Sequence, residues 1–248
     1  MQKDLTDWTK TFFGDNYLKL HLPILSDELN KEEVDFIINI LKPQKGSKFL
    51  DIPCGYGRHS KLLVEKGMQV TGIDNNSTFI EIAKENCKDA KFILEDMRKI
   101  NFYNDFDFII NLFTSFGYFS DEENFDVIKR FAKALKKGGK LLIETINREW
   151  ALKQTSTNGL TWLLYPSGMV FLANNKYDII TGRWTSEQYV VDNNKISEQE
   201  QNVRLYTYTE YKMMFSQVGL KIIEVYGEKD LSPYTCNSNK IILVAEKI

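Results

Sequence analysis

One short stretch combines residue types that bind the charged end of a small molecule. Residues 51–58, DIPCGYGR, contain an acid, two glycines and an arginine, and they lie between an apolar segment and a helical pattern. Glycines at such a turn let the backbone pass close to a ligand, and the first N–H groups of a helix bind anions. The stretch is therefore a candidate ligand site, although a glycine turn that merely connects two elements looks the same.

Asp74 strengthens the nucleotide interpretation of this turn. It ends a second apolar segment, about 20 residues after the glycine turn, where an acid in this architecture binds both ribose hydroxyls. Enzymes that use NAD share this feature, so Asp74 alone does not decide the ligand. A solvated aspartate in a turn at the end of a strand remains the alternative.

Two further features favour S-adenosylmethionine over a dinucleotide. The third apolar segment ends in Glu95-Asp96-Met97, and an acid followed by a backbone N–H can pair with the adenine edge. The dinucleotide fingerprint also requires a third glycine three positions after Gly57, for close helix packing. That position is Ser60.

The elements that must position these residues alternate along the chain. The patterns predict a helix at 31–42, strands at 47–52, 68–74, 91–96, 106–113 and 140–147, and helices at 58–67, 77–87 and 121–137, with Ser77 as a helix N-cap. Such alternation predicts a parallel sheet covered by helices on both faces. The ligand crevice of such a fold lies beyond the carboxyl ends of the strands.

The alternation stops after residue 147. Short segments rich in Val, Ile, Tyr, Trp and Thr fill residues 161–208, and Asn174-Asn175 and residues 192–194 are turn signals. We expect an antiparallel β meander inserted before a last helix at 209–218 and a final hairpin of strands at 221–227 and 240–246. The predicted organisation is a lid-like segment at 1–30, a core of 31–147 and 209–248, and an insertion at 148–208 that covers an acceptor or forms a dimer contact.

The order and spacing of three motifs identify a family. LDIPCGYGRHS, VTGIDNN and LEDMR together resemble the class I S-adenosylmethionine-dependent methyltransferases over roughly residues 40–248. The resemblance implies a Rossmann-like α/β fold of three layers (αβα), with a seven-stranded, mostly parallel sheet whose last strand is antiparallel. The CGxGR form and the pattern V-R-x-Y-T-x-x-E-Y at 203–211 suggest a subgroup that acts on small molecules, including N-methyltransferases with a β insertion.

The resemblance also implies a set of cofactor contacts. Asp51 and the glycine backbone would line the methionine end, Arg58 would pair with the methionine carboxylate, and Asp74 would bind the ribose. The first glycine of the usual D-x-G-x-G pattern is Pro53, which removes one backbone donor. The full predicted set is Tyr17, Asp51, Cys54, Gly55, Gly57, Arg58, Asp74, Asn75, Asp96, Met97, Asn111 and Leu112.

The acceptor side of the site is less well defined by the sequence. Substrate candidates are Phe116, Tyr118, Arg148, Arg183, Trp184, Arg204 and Tyr206, and the catalytic candidates are Tyr17, His21 and Tyr118. Most aromatic residues in a β meander are packing residues, and a general base is required only if the acceptor must lose a proton. The sequence therefore identifies neither the accepting atom nor a catalytic residue.

Composition and charge indicate which partners and which cellular compartment to expect. The formal net charge is −2, whereas nucleic-acid binders usually carry a basic excess, so we expect a small-molecule acceptor and no nucleic acid. Three widely spaced cysteines form no metal-ligand cluster, so no metal is expected. No apolar leader is visible, and no run reaches the roughly 18 apolar residues of a membrane span. The expectation is a cytoplasmic monomer or homodimer with no membrane association.

The sequence thus predicts an enzyme that transfers a methyl group from S-adenosylmethionine to a small molecule by in-line displacement. Nitrogen or oxygen is the expected acceptor atom. Two alternatives stay open at this point. One is an NAD(P)-dependent oxidoreductase, and the other is a module that binds S-adenosylmethionine without catalysis.

Overall fold

The architecture is taken from a computed structural model, which describes residues 7–14, 17–18, 26–165, 167–193 and 195–248. The strands are β1 Lys48–Asp51, β2 Gln69–Asp74, β3 Lys91–Leu94, β4 Phe106–Asn111, β5 Leu135–Ile146, β6 Leu160–Leu164, β7 Val170–Asp178, β8 Arg183–Asp192, β9 Lys195–Arg204, β10 Leu220–Tyr226 and β11 Lys240–Lys247. The helices are α1 Asp7–Phe12, α2 Asp27–Leu41, α3 Arg58–Glu65, α4 Ser77–Asn86, α5 Asp121–Ala134, α6 Arg148–Asn158 and α7 Tyr208–Ser216. In this part of the chain, no helix is long and apolar enough to cross a membrane.

Seven strands form the main sheet, in the order β10-β11-β5-β4-β1-β2-β3. The pairings among β1 to β5 are parallel, whereas β11 is antiparallel to both β5 and β10. The predicted sheet and its closing hairpin are therefore confirmed. Strand order reverses at β1, so the crevice of the sheet is expected at the carboxyl ends of β1, β2 and β4.

Helices cover both faces of the sheet, which confirms the three layers. Phe49 and Ile110 pack on one face with α2 and α3, whereas Leu50 and Ile109 pack on the other face with α5 and α7. Adjacent residues of a strand point to opposite faces, so both faces need apolar side chains. All four of these residues are fully buried, which explains why these strands are apolar nearly throughout.

The helix predicted at 31–42 begins earlier, at Asp27, after the N-cap Ser26. Two other predicted boundaries were wrong for local reasons. The N-cap of α4 is Asn76, whose side chain accepts the Phe79 N–H at 3.1 Å, so Ser77 is the first helical residue rather than the cap. The helix predicted to reach residue 137 ends at Ala134. Leu135 already pairs with Phe106 of β4, because tertiary strand pairing outweighs helix propensity there.

The insertion is a four-stranded antiparallel sheet in the order β6-β7-β8-β9. It is preceded by α6, which the sequence did not predict because its pattern is weakly amphipathic and only Ala151 of that helix is buried. The predicted turn at Asn174-Asn175 was wrong, since both residues lie in β7 and pair with Glu187 and Ser186 of β8. Asp192 and Asn193 do form the turn between β8 and β9, with Asn193 at φ 48°, whereas Asn194 lies outside the described residues.

Candidate functional site

A cavity lies at the carboxyl ends of β1, β2 and β4. Its walls come from the turn after β1, the residues that follow β2, β3 and β4, and the N-terminal segment around α1. Most of the predicted cofactor residues line it, namely Tyr17, Asp51, Cys54, Gly55, Arg58, Asp74, Asn75, Asp96, Met97 and Leu112. Within the described ranges, no group of three or more His, Cys, Asp or Glu side chains is arranged to hold a metal ion.

Asp51, the last residue of β1, presents a buried carboxylate to the cavity. The Ser60 hydroxyl, in the first turn of α3, donates to it at 2.6 Å. Burial raises the pKa of Asp51 to about 7, even though the hydrogen bond from Ser60 and the charge of Arg58 act in the opposite direction. A buried acid with a raised pKa favours a cationic ligand, because a nearby positive charge stabilises its ionised form.

The two glycines of the turn have different roles. Gly55 lies at φ 54°, and a Cβ atom built on it would meet nothing within 4 Å, so its backbone is open toward the cavity. A Cβ atom on Gly57 would lie 3.0 Å from the Cβ atom of Ala83 and 3.1 Å from Phe92. Gly57 therefore permits the close packing of the turn on α4 and β3, and it does not line the cavity.

Asp74, the last residue of β2, connects the turn to the start of α4. Its two carboxylate oxygens accept the backbone N–H groups of Gly55 and Asn76, each at 2.9 Å. Burial raises the pKa of Asp74, and these N–H bonds oppose the rise. Each carboxylate oxygen has a second lone pair, so the group keeps the capacity to accept two ligand hydroxyls.

After β3, the Asp96 carboxylate is already engaged by a neighbouring cation. Arg98 donates to it through Nε and Nη2, at 3.0 and 2.7 Å to Oδ2. Arg98 also contacts Glu123 at 2.7 Å and lies 4.3 Å above the centre of the Phe119 ring. Arg98 lines the cavity, although it was not among the residues predicted from the sequence.

The last residue of β4, Asn111, connects this strand to the residue that follows β1. Asn111 is fully buried and donates from Nδ2 to the Ile52 carbonyl at 2.7 Å, so it ties β4 to β1 and does not line the cavity. Leu112 does line it. Phe113 and Thr114 follow with φ values of 60° and 57°, a left-handed conformation that costs a bulky or β-branched residue energy.

Arg58, at the start of α3, is held in place between polar and aromatic partners. Its Nη1 donates to Asn30 Oδ1 at 2.7 Å and also to the Glu33 carboxylate. The guanidinium lies 4.2 Å from the centre of the Phe113 ring. It still lines the cavity, so it faces the ligand space from a fixed position.

Aromatic residues of the N-terminal segment and of the loop after β4 form part of the cavity wall. Trp8 packs edge-on against Tyr118 with ring centres 5.0 Å apart, and Phe13 packs against Tyr17 at 5.2 Å. Asn76 donates to the Phe13 carbonyl at 2.7 Å and so ties this segment to α4. Phe13, Tyr17 and Tyr118 line the cavity.

The two phenols among the catalytic candidates are poor bases at neutral pH. Burial raises the pKa of Tyr17 to about 12 and raises that of Tyr118 as well. Both hydroxyls therefore stay protonated and can donate a hydrogen bond. His21, the third candidate, lies outside the described residues.

Most of the predicted substrate residues lie outside the cavity lining. Arg183 donates to the carbonyls of Phe119 at 3.0 Å and Tyr118 at 3.2 Å, and it thereby fixes the loop that follows β4. Tyr206 donates to Asp121 at 2.6 Å. The substrate candidates that do not line the cavity are Phe116, Arg148, Arg183, Trp184, Arg204 and Tyr206.

Several lining residues were not predicted from the sequence. They include Thr9, Lys10, Phe13, Tyr56, Phe79, Arg98, Phe113, Ser115 and Phe119. Tyr56 is the most informative, because its hydroxyl is buried with no hydrogen-bond partner among the described residues. Its place within the glycine turn was the available signal, since most residues of that turn line the cavity.

The region that carries this site matches a known family. Residues 49–139 match the family model described as a methyltransferase domain. The demethylmenaquinone methyltransferase of Thermotoga maritima is 33% identical over 110 residues, which cover 43% of this chain and 47% of that protein. The chain thus spans about half the length of this curated relative.

Solved structures extend the likeness to nearly the whole chain. An S-adenosylmethionine-dependent methyltransferase from Clostridium acetobutylicum superposes with a TM-score of 0.78 at 17% identity, covering 96% of this chain and 98% of that one. An amino pentose methyltransferase from Micromonospora echinaspora, with S-adenosylmethionine bound, gives 0.67 at 18% identity over 88% and 92%. At these identities the likeness concerns the fold, and it agrees with the family predicted from the sequence.

Proposed function

We propose, because residues 49–139 match the methyltransferase-domain model and the chain shares its fold with S-adenosylmethionine-dependent methyltransferases, that this protein transfers a methyl group from S-adenosylmethionine to a small molecule. The accepting atom in this proposal is nitrogen or oxygen. One observation carries it. Asp51, Asp74 and the Asp96-Met97 pair follow or end three neighbouring strands and line a single cavity.

The residues of the cavity fit the donor in chemical type. Asp51 and Arg58 suit the ammonium and carboxylate groups of the methionine end, and Asp74 suits the ribose hydroxyls. Asn75 would flank the adenine, while Asp96 and the Met97 N–H would meet its edge. The open backbone at Gly55 and the Tyr56 hydroxyl, which has no hydrogen-bond partner in the described part of the chain, are further features that favour a polar ligand here.

In the proposed reaction, the ligand supplies the reactive methyl group and the protein supplies alignment. S-adenosylmethionine, when bound, supplies a methyl group on a positively charged sulfur. The sulfur departs as a neutral thioether, so its departure needs no acid. The protein must align the acceptor and exclude water, which can contribute about 7–11 kcal/mol in favourable cases. Phe13, Tyr17 and Tyr118 form an aromatic wall suited to this, and aromatic faces also favour a nearby cation.

The protonation states favour an amine acceptor. Tyr17 and Tyr118 stay protonated at neutral pH because burial raises their pKa values, so neither removes a proton from a hydroxyl acceptor. A neutral amine needs no base before it attacks. The solved amino pentose methyltransferase shares the fold, which is consistent with an amine.

The N-terminal segment and the insertion have proposed roles of their own. We propose that the segment around α1 is a lid over the acceptor, since Thr9, Lys10 and Phe13 line the cavity. The insertion supports the loop after β4, where the Arg204 N–H donates to the Gly117 carbonyl at 2.8 Å. Its outer edge, β6, exposes Trp162 and Leu164 to 70% and 64%, and we propose that it pairs with a second copy of the chain to form a homodimer.

The two alternative functions suggested by the sequence make different predictions. A nicotinamide oxidoreductase is disfavoured because Ser60, in place of the third glycine, binds Asp51 at 2.6 Å. A non-catalytic binding module would bind the donor and transfer nothing. The proposed setting is the cytoplasm, where the three unpaired thiols of Cys54, Cys87 and Cys236 would stay reduced.

Methyl transfer from isotopically labelled S-adenosylmethionine tests the proposal. The protein is incubated with matched panels of amino sugars, alkylamines and phenols, and labelled products are identified by mass spectrometry. We expect turnover with at least one amine, and weaker turnover with its hydroxyl analogue. Turnover confined to phenols would contradict the amine preference. Donor binding without any turnover across broad panels would favour the binding module.

A further inference from the structure

A buried cluster of charges adjoins the cavity at Arg58 and His59. We call Glu33, Arg58, His59 and Lys229 the Glu33 cluster. Glu33, on α2, is 2% exposed, and its carboxylate accepts from Arg58, from Lys229 and from His59 Nε2, the last at 2.8 Å. One side chain thus links α2, α3 and the segment between β10 and β11.

The cluster carries an excess positive charge. Burial alone would raise the pKa of Glu33, but the hydrogen bond from His59 and the charge of Arg58 outweigh it and hold the pKa at about 2. Burial and the charge of Arg58 lower the pKa of His59 to about 4. At neutral pH the cluster therefore contains one anion, one neutral imidazole and two cations.

The excess charge faces the cavity through Arg58. Arg58 lines the cavity, whereas Glu33 and Lys229 do not. Among the described residues, the partners of Arg58 use its Nη1 atom, and a guanidinium carries five N–H donors in a fixed fork. The Nε and Nη2 donors therefore remain for a planar, bidentate anion such as a carboxylate.

The position of Arg58 is fixed from two sides. Glu33 holds its Nη1, and the Phe113 ring lies 4.2 Å from the guanidinium carbon. Phe113 has a φ of 60°, a costly conformation that places its ring against the cluster. Lys229 lies 5.1 Å from the centre of the same ring, so both cations of the cluster contact Phe113.

We infer that Glu33 is a positioning residue that orients Arg58 to bind the terminal carboxylate of S-adenosylmethionine, an inference that rests on the proposed function. Glu33 itself touches no ligand in this scheme. Its effect should therefore be confined to ligands that carry the carboxylate, and it should vanish when Arg58 is removed. A purely structural carboxylate would affect every ligand of the cavity equally.

Calorimetric titration of the full-length protein tests this with two probes. S-adenosylhomocysteine carries the amino-acid group, and 5′-methylthioadenosine carries the same nucleoside and thioether without it. We expect Glu33→Gln to weaken S-adenosylhomocysteine binding by about tenfold, as for loss of an interaction with a charged group, and to leave methylthioadenosine binding within about twofold. Asp35→Asn is the matched control, since Asp35 lies on the same helix and pairs with exposed Lys66. It should change neither affinity.

The combined variants decide between the explanations. In an Arg58→Ala background, Glu33→Gln should cause no further loss, because coupled residues are non-additive. Additive losses, equal losses for both probes, or unchanged S-adenosylhomocysteine binding would each overturn the inference. If Glu33→Gln does not fold, Phe113→Leu replaces it and should give the same selective loss. If wild-type protein binds neither probe, the proposed function fails rather than the role of Glu33.

Discussion

The Ser60 hydroxyl donates to the Asp51 carboxylate at 2.6 Å, which joins the last residue of β1 to the first turn of α3. Ser60 is fully buried, and it stands where the dinucleotide fingerprint has its third glycine. The serine therefore replaces a packing residue with a hydrogen-bond donor for an acid that faces the cavity. Because Asp51 faces the cavity, its protonation state should affect ligand affinity.

Donor affinity should depend on pH through Asp51. Its pKa of about 7 lies above the ordinary value, so the protonated form dominates below pH 7, whereas a ligand ammonium favours the ionised form. Binding then releases a proton at acidic pH. Affinity for S-adenosylhomocysteine should rise at least about tenfold from pH 5.5 to about pH 7.5 and then level off, as measured by calorimetry.

The control for this pH dependence is Asp51→Asn, which should bind weakly with a flatter profile. Glu33 and His59 do not titrate in this window, since their pKa values are about 2 and about 4. A wild-type affinity that is constant across the window would contradict the proposed role of Asp51.

Alanine substitutions at Gly55 and Gly57 should affect ligand binding and stability to different extents. Both have positive φ, so alanine costs roughly 1–2 kcal/mol at either position. Gly57→Ala also meets Ala83 and Phe92 at about the distance of a steric clash, and we expect it to lower the free energy of unfolding by about 1–3 kcal/mol more than Gly55→Ala does. Gly55→Ala should instead weaken S-adenosylhomocysteine binding. Denaturant unfolding and calorimetry give both quantities, and the reverse ranking in stability would show that these assignments are wrong.

The lid proposal predicts that α1 responds to ligand. Trp8 is buried against Tyr118, so Trp8→Ala should release α1 and weaken S-adenosylhomocysteine binding several-fold. Hydrogen exchange of residues 7–14 should slow when ligand is added to the wild type and stay fast in the variant. Tyr103→Ala, at a side chain 69% exposed, serves as the control. Equal exchange with and without ligand in the wild type would argue against a lid.

The homodimer proposal depends on β6. Trp162 is 70% exposed on this edge strand, and a charge placed there opposes edge pairing. Wild-type protein should have twice the 28.9 kDa chain mass by light scattering, and Trp162→Glu should be monomeric. Ile248→Glu, at an equally exposed position, should remain dimeric. A wild type that is monomeric at all concentrations would exclude the pairing.

The residues of the proposed donor side were predicted to lie together because their signals are local. Asp51 and Asp74 directly end strands whose apolar patterns are visible in the sequence, and the parallel fold brings those ends together. Gly57 and Asn111 were close to the site in sequence yet serve packing and strand linkage. Sequence position alone does not reveal which way a side chain points.

The surroundings of the proposed acceptor side were less predictable because their contacts join residues that are distant in sequence. Arg183 was a substrate candidate, but it satisfies carbonyls of the loop at 117–119, some 64 residues earlier. Glu33 meets Lys229 across 196 residues, and no local pattern indicates that pairing. The turn expected at Asn174-Asn175 gave way to the continuous pairing of β7 with β8, since tertiary context overrides turn propensity.

The central claim is that this cavity binds S-adenosylmethionine with Asp74 on the ribose. Calorimetry with S-adenosylhomocysteine and NAD, on wild-type protein and on Asp74→Ala, tests it most directly. We expect the wild type to bind S-adenosylhomocysteine and to give no heat with NAD. Asp74→Ala should weaken binding by several kcal/mol at most, from about 1.5–3 kcal/mol for each lost hydrogen bond to a charged group. Tight NAD binding without S-adenosylhomocysteine binding, or an unchanged affinity in Asp74→Ala, would contradict the claim.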